Sequence, residues 1–295
     1  MLLRTLEYFV ALAREQHFAR AAEACHVSQP TLSAGIASLE EQLGKRLIER
    51  DRRYIGLTNE GRAALPWAQQ AIAMIEGLEQ ASAAVRGPLR GALRLGAIPA
   101  SMPVVGSFAR VLKRAQPEVT LAVRSLTSRE IERGLSSFEL DAGITYLDHE
   151  PPSQILAAPL YNEKAIFVGH VRSIGEIDAI GWDEALSQPL CLLHEGMQNR
   201  RILDANLAER KLSVSPCATA DSYVALLAMV EAGGVATIVP DGYANLIPSG
   251  SWARVVPFSD PLPSSRVGLT VSNRPPLGTM AQAALAAARL LGASM

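Results

Sequence analysis

HFARAAEACHVSQPTLSAGIASLEEQLGKRLIERDRRYIGLTNEGR, residues 17–62, decides how this chain is read. Phe18 opens a small-residue helix that runs to Cys25, where Ala21, Ala22 and Ala24 allow a neighbour to pack closely. His26 and Val27 form a tight turn. Ser28 then suits the N-cap of a second helix, and Pro30 is tolerated in its first turn. Leu32, Ile36, Leu39 and Leu43 recur at spacings of four, three and four, so they fall on one buried stripe. The opposite face carries Pro30, Ser33, Ala34, Ala37 and Ser38, with Gln29 and Thr31 at the exposed start. A helix-turn-helix of this kind lays its second helix in the DNA major groove, where the N-terminal residues meet base edges. Gln29 and Ser33 are therefore expected at base edges and Pro30 in apolar contact. Ser28 and Thr31 are expected on phosphate, because a helix N-terminus favours anions. Capping the helix is compatible with that role.

Working outward, Leu3, Leu6, Phe9, Val10 and Ala13 mark one face of a preceding helix. On the other side, Ile48 to Leu57 reads as a two-stranded wing with Asp51, Arg52 and Arg53 near its tip. Arg50, Arg52 and Arg53 are candidate phosphate or minor-groove contacts. From Arg46 to Arg62 there are also Arg50, Arg52 and Arg53 against only Glu49, Asp51 and Glu60.

The stretch resembles the N-terminal domain of LysR-type transcriptional regulators. The matching pieces are Phe18, Ala21-Ala22, Val27-Ser28-Gln29-Pro30, Leu32-Ser33, Ile36, Leu39-Glu40, Leu43-Gly44, Leu47, Arg50, Leu57-Thr58 and Gly61, without a gap. The overall layout extends the resemblance over essentially the whole chain. One departure is that Ala34-Gly35 stands where the family often carries larger polar side chains, which shifts sequence preference toward DNA shape and the wing.

The remaining composition narrows the class. The chain has 295 residues, enough for more than one domain, and a formal net charge of −1, so positive charge is confined to the docking face. Cys25, Cys191 and Cys217 are widely spaced without a metal-ligand pattern, as buried thiols in a reducing compartment would be. No metal and no cofactor are expected. The first residues lack the apolar run of a signal peptide, and no apolar segment is long enough to span a bilayer, so a cytoplasmic protein with no membrane partner is expected.

Thr58 is placed to cap a helix that runs to about Arg86 and stops at Gly87-Pro88. Ala64, Ala68, Ala71, Ile75, Leu78, Ser82 and Val85 follow a four-three pattern, and the alanines permit close approach of a second helix. Packing within one subunit is the plainer reading of that stripe. The family resemblance implies antiparallel pairing of these helices, giving a homodimer or homotetramer.

After Gly91, strands alternate with helices. Strands are expected at Ala92–Ile98, Val119–Arg124, Leu140–Tyr146, Ala165–Gly169, Leu190–His194, Val214–Thr219, Val235–Val239 and Val267–Val271. Helices are expected at Ser101–Ala115, Ser128–Ser136, Asn199–Glu209, Ser222–Ala232 and Thr279–Leu291. Repeated strand-helix units favour a parallel α/β sheet. The expected fold class is thus α/β with an all-α winged helix-turn-helix N-terminal domain. The resemblance implies a two-subdomain, periplasmic-binding-protein-like effector domain behind it. Residues 1–58 would bind DNA, 59–88 would form the dimerisation helix and 89–295 the effector domain. Its subdomain I would take 89–161 and 267–295, and its subdomain II 162–266, with crossings near Tyr161 and Arg266.

Ligands in such folds sit beyond the strand C-termini. Ser101, before Met102-Pro103, and Thr127-Ser128, with Glu130 placed for a capping box, supply hydroxyls and helix N-termini for a small anion. The resemblance implies effector contacts at the positions of Ser101 and Ser128, and places Tyr146 where some relatives have a basic residue. Gln198, Asn199 and Arg200 face them as candidates from the second wall, with a solvated helix as the plainer reading of Arg200 and Arg201. His194 reads as a packed histidine, and Asp221-Ser222 as a helix cap. Helix capping alone is the plainer reading of Ser101 and Ser128. Ser101, His194 and Asp141 are the residue types of a triad, but no nucleophile elbow, Walker loop or dinucleotide fingerprint appears, so no catalysis is expected.

These readings converge on a regulator that binds double-stranded promoter DNA at an interrupted inverted repeat, with RNA polymerase as a further partner. Its effector would be a small anionic molecule, a carboxylate such as formate. The alternatives are an architectural DNA-binding protein without an effector and a solute-binding protein.

Overall fold

The structure is a computed structural model that describes residues 2–50, 54–84, 87–150, 153–248, 250 and 252–294. The chain divides into two compact units: Met1–Leu89 with Ser136–Glu139, and Arg90–Leu135 with Leu140–Met295.

In the first unit, α1 (Leu2–Glu15), α2 (Phe18–Ala24) and α3 (Gln29–Leu43) precede a hairpin of β1 (Ile48–Arg50) and β2 (Tyr54–Leu57), and α4 (Asn59–Ala84) follows. The core is the stripe anticipated from the sequence: Leu32, Ile36 and Leu39 of α3 are wholly buried, with Phe9, Leu12 and Ala21. The α2–α3 turn uses His26 in a left-handed conformation, φ 54°. Gly44, φ 63°, closes α3, and the Lys45 N–H reaches back to the Glu40 carbonyl. Gly35 has a packing role, since a Cβ there would lie 2.5 Å from the Tyr8 ring.

Glu40 and Thr58 fix the wing to this core. Glu40 Oε1 accepts from the Leu47 N–H at 2.9 Å and the Ile48 N–H at 3.1 Å. Thr58 Oγ1 donates to the Arg46 carbonyl at 2.7 Å and accepts from the Gly61 N–H at 2.9 Å, starting α4. A Cβ on Gly61 would lie 2.0 Å from the Leu47 carbonyl oxygen, so only glycine fits there. Along α4, Ala64, Leu65 and Ala68 pack on the helix-turn-helix core. Trp67, Met74 and Leu78 are exposed. Val85 lies outside the described residues.

The second unit begins with β3 (Gly91–Ala97), α5 (Met102–Ala115), β4 (Val119–Ser125), α6 (Ser128–Ser136), β5 (Ala142–Tyr146) and β6 (Ile155–Glu163). Next come β7 (Ala165–His170), α7 (Trp182–Ser187), β8 (Leu190–Leu193), α8 (Gln198–Glu209), β9 (Ala218–Ala220), α9 (Tyr223–Ala232) and β10 (Ala236–Pro240). Last are β11 (Ala253–Pro257), β12 (Ser265–Ser272) and α10 (Thr279–Gly292). They build two five-stranded sheets, ordered β4-β3-β5-β12-β6 and β11-β7-β10-β8-β9. The chain passes from the first sheet to the second at Lys164 and returns between Pro257 and Ser265.

The expectation of a parallel sheet needs correction. β12 runs antiparallel to both β5 and β6, and β7 antiparallel to β10 and β11, so both sheets are mixed. The two crossings carry strands in directly, without a helix between, and reverse the direction. The sequence reading also missed β6, α7 and β11, and placed at Val214–Thr219 a strand that pairs only over Ala218–Ala220. In β6, Pro159 interrupts the strand pattern in an otherwise apolar run. Among the described residues, no helix is long and apolar enough to cross a membrane.

Candidate functional site

Two surfaces collect the residues singled out from the sequence. The first is the start of α3. Ser28 is the N-cap: its Oγ accepts from the Thr31 N–H at 3.3 Å and lies 2.8 Å from Thr31 Oγ1. Gln29, Pro30 and Thr31 are exposed and Ser33 is half-buried, on the face opposite Leu32, Ile36 and Leu39. Pro30 has no N–H and the Thr31 N–H is taken by Ser28, so the Gln29 N–H and the Ser28–Thr31 hydroxyl pair are what this exposed helix start offers a phosphate oxygen. Arg50 ends β1, with its side chain outside the described residues, as are Arg52 and Arg53 entirely.

The second surface is the cleft between the two sheets. A cavity of about 10 Å³, about one water molecule in size, is bounded by Ile98, Pro99, Ala100, Thr127, Ser128 and Tyr146 on one wall. Leu193, Met197, Gln198 and Asn199 form the other. Two helix N-termini start at this cavity, those of α6 and α8. In α6 a reciprocal capping box forms as anticipated: the Glu130 N–H donates to Thr127 Oγ1 at 3.3 Å, and the Thr127 N–H donates to Glu130 Oε2 at 2.8 Å. That amide and the Thr127 hydroxyl hold the Glu130 carboxyl below its ordinary value. No side chain caps α8, so its first amides are left for a ligand or water. No lysine, arginine or histidine lines the cavity among the described residues.

Several sequence candidates sit elsewhere. Ser101 is fully buried, and its hydroxyl donates to the Ile98 carbonyl at 3.0 Å instead of capping α5, which Pro103 and a preceding 3-10 turn start without it. Met102 is half-buried beside it and does not bound the cavity. Arg200 is 4% exposed rather than solvated; its Nε meets Asp204 at 2.8 Å and its Nη1 the Leu193 carbonyl at 3.0 Å. It thus braces α8 against β8. His194 is exposed, and its Nδ1 accepts from the Gly196 N–H. Asp141 receives the Arg94 guanidinium and backbone N–H. The three triad residue types are thus each committed to separate structural bonds. Ser222 is the N-cap residue of α9 without a hydroxyl cap bond.

Behind the cavity lies a group that the sequence reading did not identify. Glu163, the last residue of β6, is 6% exposed. Its Oε1 accepts from Tyr146 Oη at 2.6 Å and from Asn199 Nδ2 at 3.0 Å. Asn199 Nδ2 also reaches Tyr146 Oη at 2.6 Å, and Tyr223 Oη donates to Asn199 Oδ1 at 2.7 Å. Burial pushes the Glu163 carboxyl up to about 8. This chain of bonds joins β5 and β6 of one sheet to α8 and α9 over the other. The Tyr243 hydroxyl donates to the Pro99 carbonyl at 2.7 Å, and Gln198 Nε2 donates to the His149 carbonyl. Arg201 and Glu150 pair at 2.7 Å. The cleft is therefore closed by contacts from both walls. In the sequence, Glu163-Lys164 reads as a surface charge pair; only the crossing at that point buries the acid.

Comparison with known proteins places these features in a family. Residues 3–62 match "Bacterial regulatory helix-turn-helix protein, lysR family" and residues 86–291 match "LysR substrate binding domain". A probable hydrogen peroxide-inducible genes activator of Mycobacterium leprae is 34% identical over 273 residues, 90% of this chain and 86% of the relative. The DNA-binding transcriptional dual regulator OxyR of Escherichia coli is 33% identical over 174 residues, 58% of this chain and 57% of the relative. Among solved structures, a full-length OxyR variant from Pseudomonas aeruginosa matches with a TM-score of 0.75 and 27% identity, covering 98% of this chain and 99% of that one. CbnR in complex with its target DNA shares the fold at a TM-score of 0.69 and 21% identity, covering 99% and 100%.

Proposed function

The chain belongs to the LysR family of transcriptional regulators, and from that premise we propose that it is a promoter-binding homo-oligomer whose hold on DNA is set by a small anion in the cleft between its two sheets. Members of this family are transcription factors rather than enzymes.

On the DNA side, Gln29 and Ser33 read base edges, Pro30 makes apolar contact, and Ser28 and Thr31 hold phosphate. Arg50, Arg52 and Arg53 on the wing add contacts that carry little sequence information. The exposed, capped start of α3 supports this division. The exposed Trp67, Met74 and Leu78 support α4 as the face that pairs two copies. A dimer presents two readers, which suits an interrupted inverted repeat. RNA polymerase is the further partner of a regulator so placed.

The observation that carries the effector reading is the cavity where α6 and α8 both begin. The first amides of α8 and the Ser128 hydroxyl favour negative charge without a cation, while the Thr127 hydroxyl is committed to Glu130. At about 10 Å³ the closed cavity has room for one water, so an anion enters as the cleft opens, and the smallest carboxylates, formate among them, need the least opening. Gln198 Oε1, buried without a partner, is suited to the water that the anion displaces. Ligand binding changes DNA affinity because the cleft's closed and open states bind the ligand with different affinity.

The relatives' names point instead to hydrogen peroxide, and of the three thiols only Cys217 is accessible to it. Oxidation selects accessible thiolates. Cys191 is wholly buried and its thiol is pushed up by that burial, as is that of half-buried Cys25, while Cys217 is exposed. Any response of promoter binding to peroxide should therefore be lost in Cys217→Ser, and no response in wild type favours the anion.

The test is a thermal-shift series on the full chain with formate, acetate, inorganic oxyanions and larger dicarboxylates, repeated on Ser128→Ala. A selective rise with the smallest carboxylates, lost in the variant, supports the reading. No rise with any anion overturns the anionic effector and leaves the DNA assignment standing.

A further inference from the structure

Glu163 has one carboxyl oxygen left over. Oε1 takes both donors, from Tyr146 and Asn199, while Oε2 is buried with no hydrogen-bond partner. A buried polar atom without a partner is costly and calls for an explanation. The carboxyl also bounds a second cavity, of about 40 Å³, which shares Asn199 with the cleft cavity. Along α8 its wall runs from Asn199 through Ile202 and Leu203 to Asn206, and Ile238 and Leu262 add apolar surface.

We propose that this cavity is a second ligand site, which takes the ammonium group of a short primary alkylamine, with Glu163 Oε2 as its anionic partner and the apolar walls around its alkyl chain. It lies outside the anion cleft of the proposed function and does not depend on it. Charge favours a cation. Asp241 acts on Glu163 in the same sense as burial. An anion placed here would face two acids. Tyr146, Tyr161, Tyr223 and Tyr243 also face the carboxyl, and burial holds all four hydroxyls in their protonated form. His149 lies edge-on to Tyr146, 6.2 Å between ring centroids. Lys164 also bounds the cavity; it is exposed, so its ammonium can turn to solvent. The apolar walls distinguish an alkylamine from a bare inorganic cation.

The group is protonated before the ligand arrives, since burial raises its pKa to about 8. An arriving ammonium releases that proton to solvent. Affinity should therefore fall about tenfold for each pH unit below 8. Asn199 bounds both cavities, so the amine also fixes the side chain that closes the anion cleft.

The experiment is titration calorimetry and thermal shift on the full chain at fixed ionic strength, from pH 6.5 to 9. The probes are methyl-, ethyl- and propylammonium, the matching alcohols, and ammonium and potassium alone. Propylammonium should raise the Tm at pH 8.5, with buffer-dependent heats that report one proton released at pH 7, while propanol and potassium do nothing. Glu163→Gln keeps an acceptor for Tyr146 and Asn199, so it should fold and lose the response. Ile202→Phe, which fills the alkyl end, should lose propylammonium and keep methylammonium. An equal response to propanol, a response retained in Glu163→Gln, or no response at pH 8.5 would overturn the site. None of these outcomes bears on the Ser128-dependent anion effect.

Discussion

The start of α3 and the cleft between the sheets solve recognition in opposite ways. Gln29, Pro30 and Thr31 stand on the surface, and the residues that hold them in place, Leu32, Ile36 and Leu39, lie on the other side of the same helix. Reading and folding are separated there by half a helical turn. In the cleft, Ser128, Tyr146 and Gln198 are each less than a tenth exposed, and the groups available to a ligand also join the two sheets. Substitution at Gln29 or Pro30 should change recognition and spare stability, with the capping Ser28 as the exception. Substitution at the second should change both together.

The largest effect tests the boundary of that separation. Gly61 carries no recognition, yet a methyl group there meets the Leu47 carbonyl, so Gly61→Ala should destabilise the N-terminal unit by about 3 kcal/mol in urea unfolding. Next comes pH. The folded-state pKa of Glu163 is raised above its unfolded value, so its protonated form stabilises the fold. That contribution is complete below the unfolded value near 4.5 and is lost as pH rises through about 8. Chemical denaturation across that window should show wild-type stability falling, and Glu163→Gln should flatten the fall; an unchanged slope would separate the cleft's chemistry from its folding. Glu40→Ala removes the acceptor of two amides at the wing and should destabilise by about 2 kcal/mol. Ser28→Ala should lose about 1 kcal/mol through the cap. Smallest in stability is Gln29→Ala, expected within about 0.5 kcal/mol of wild type. Competition binding should nevertheless show base preference relaxed by about 1 kcal/mol, while Arg52→Ala weakens all sequences alike. A Gln29→Ala protein that unfolds easily, or that keeps its preference, would break the contrast.

The same separation explains what could be read from the sequence. The α3 stripe, the Ser28 cap, the Thr127–Glu130 box and the Thr58 start of α4 are local: each is set by residues within one or two turns, and each was legible. Tyr146, Gln198 and Asn199 were legible as positions after strands, although not their partners. Glu163 was not, because its burial depends on contacts with Tyr146 and Asn199, 17 and 36 residues away in the chain. Arg200 was misread for the same reason: periodicity cannot show that Asp204 and the Leu193 carbonyl draw it inward. The antiparallel returns of β12 and β7 escaped because strand direction is set by the crossings, which carry no local signal.

The most direct measurement is fluorescence anisotropy of the full-length protein on the DNA upstream of its own coding region, titrated with formate in wild type and Ser128→Ala. The account predicts a formate-dependent change in DNA affinity in wild type, absent from Ser128→Ala, whose affinity without formate is unchanged. An identical formate response in both proteins, or none in wild type, would contradict it.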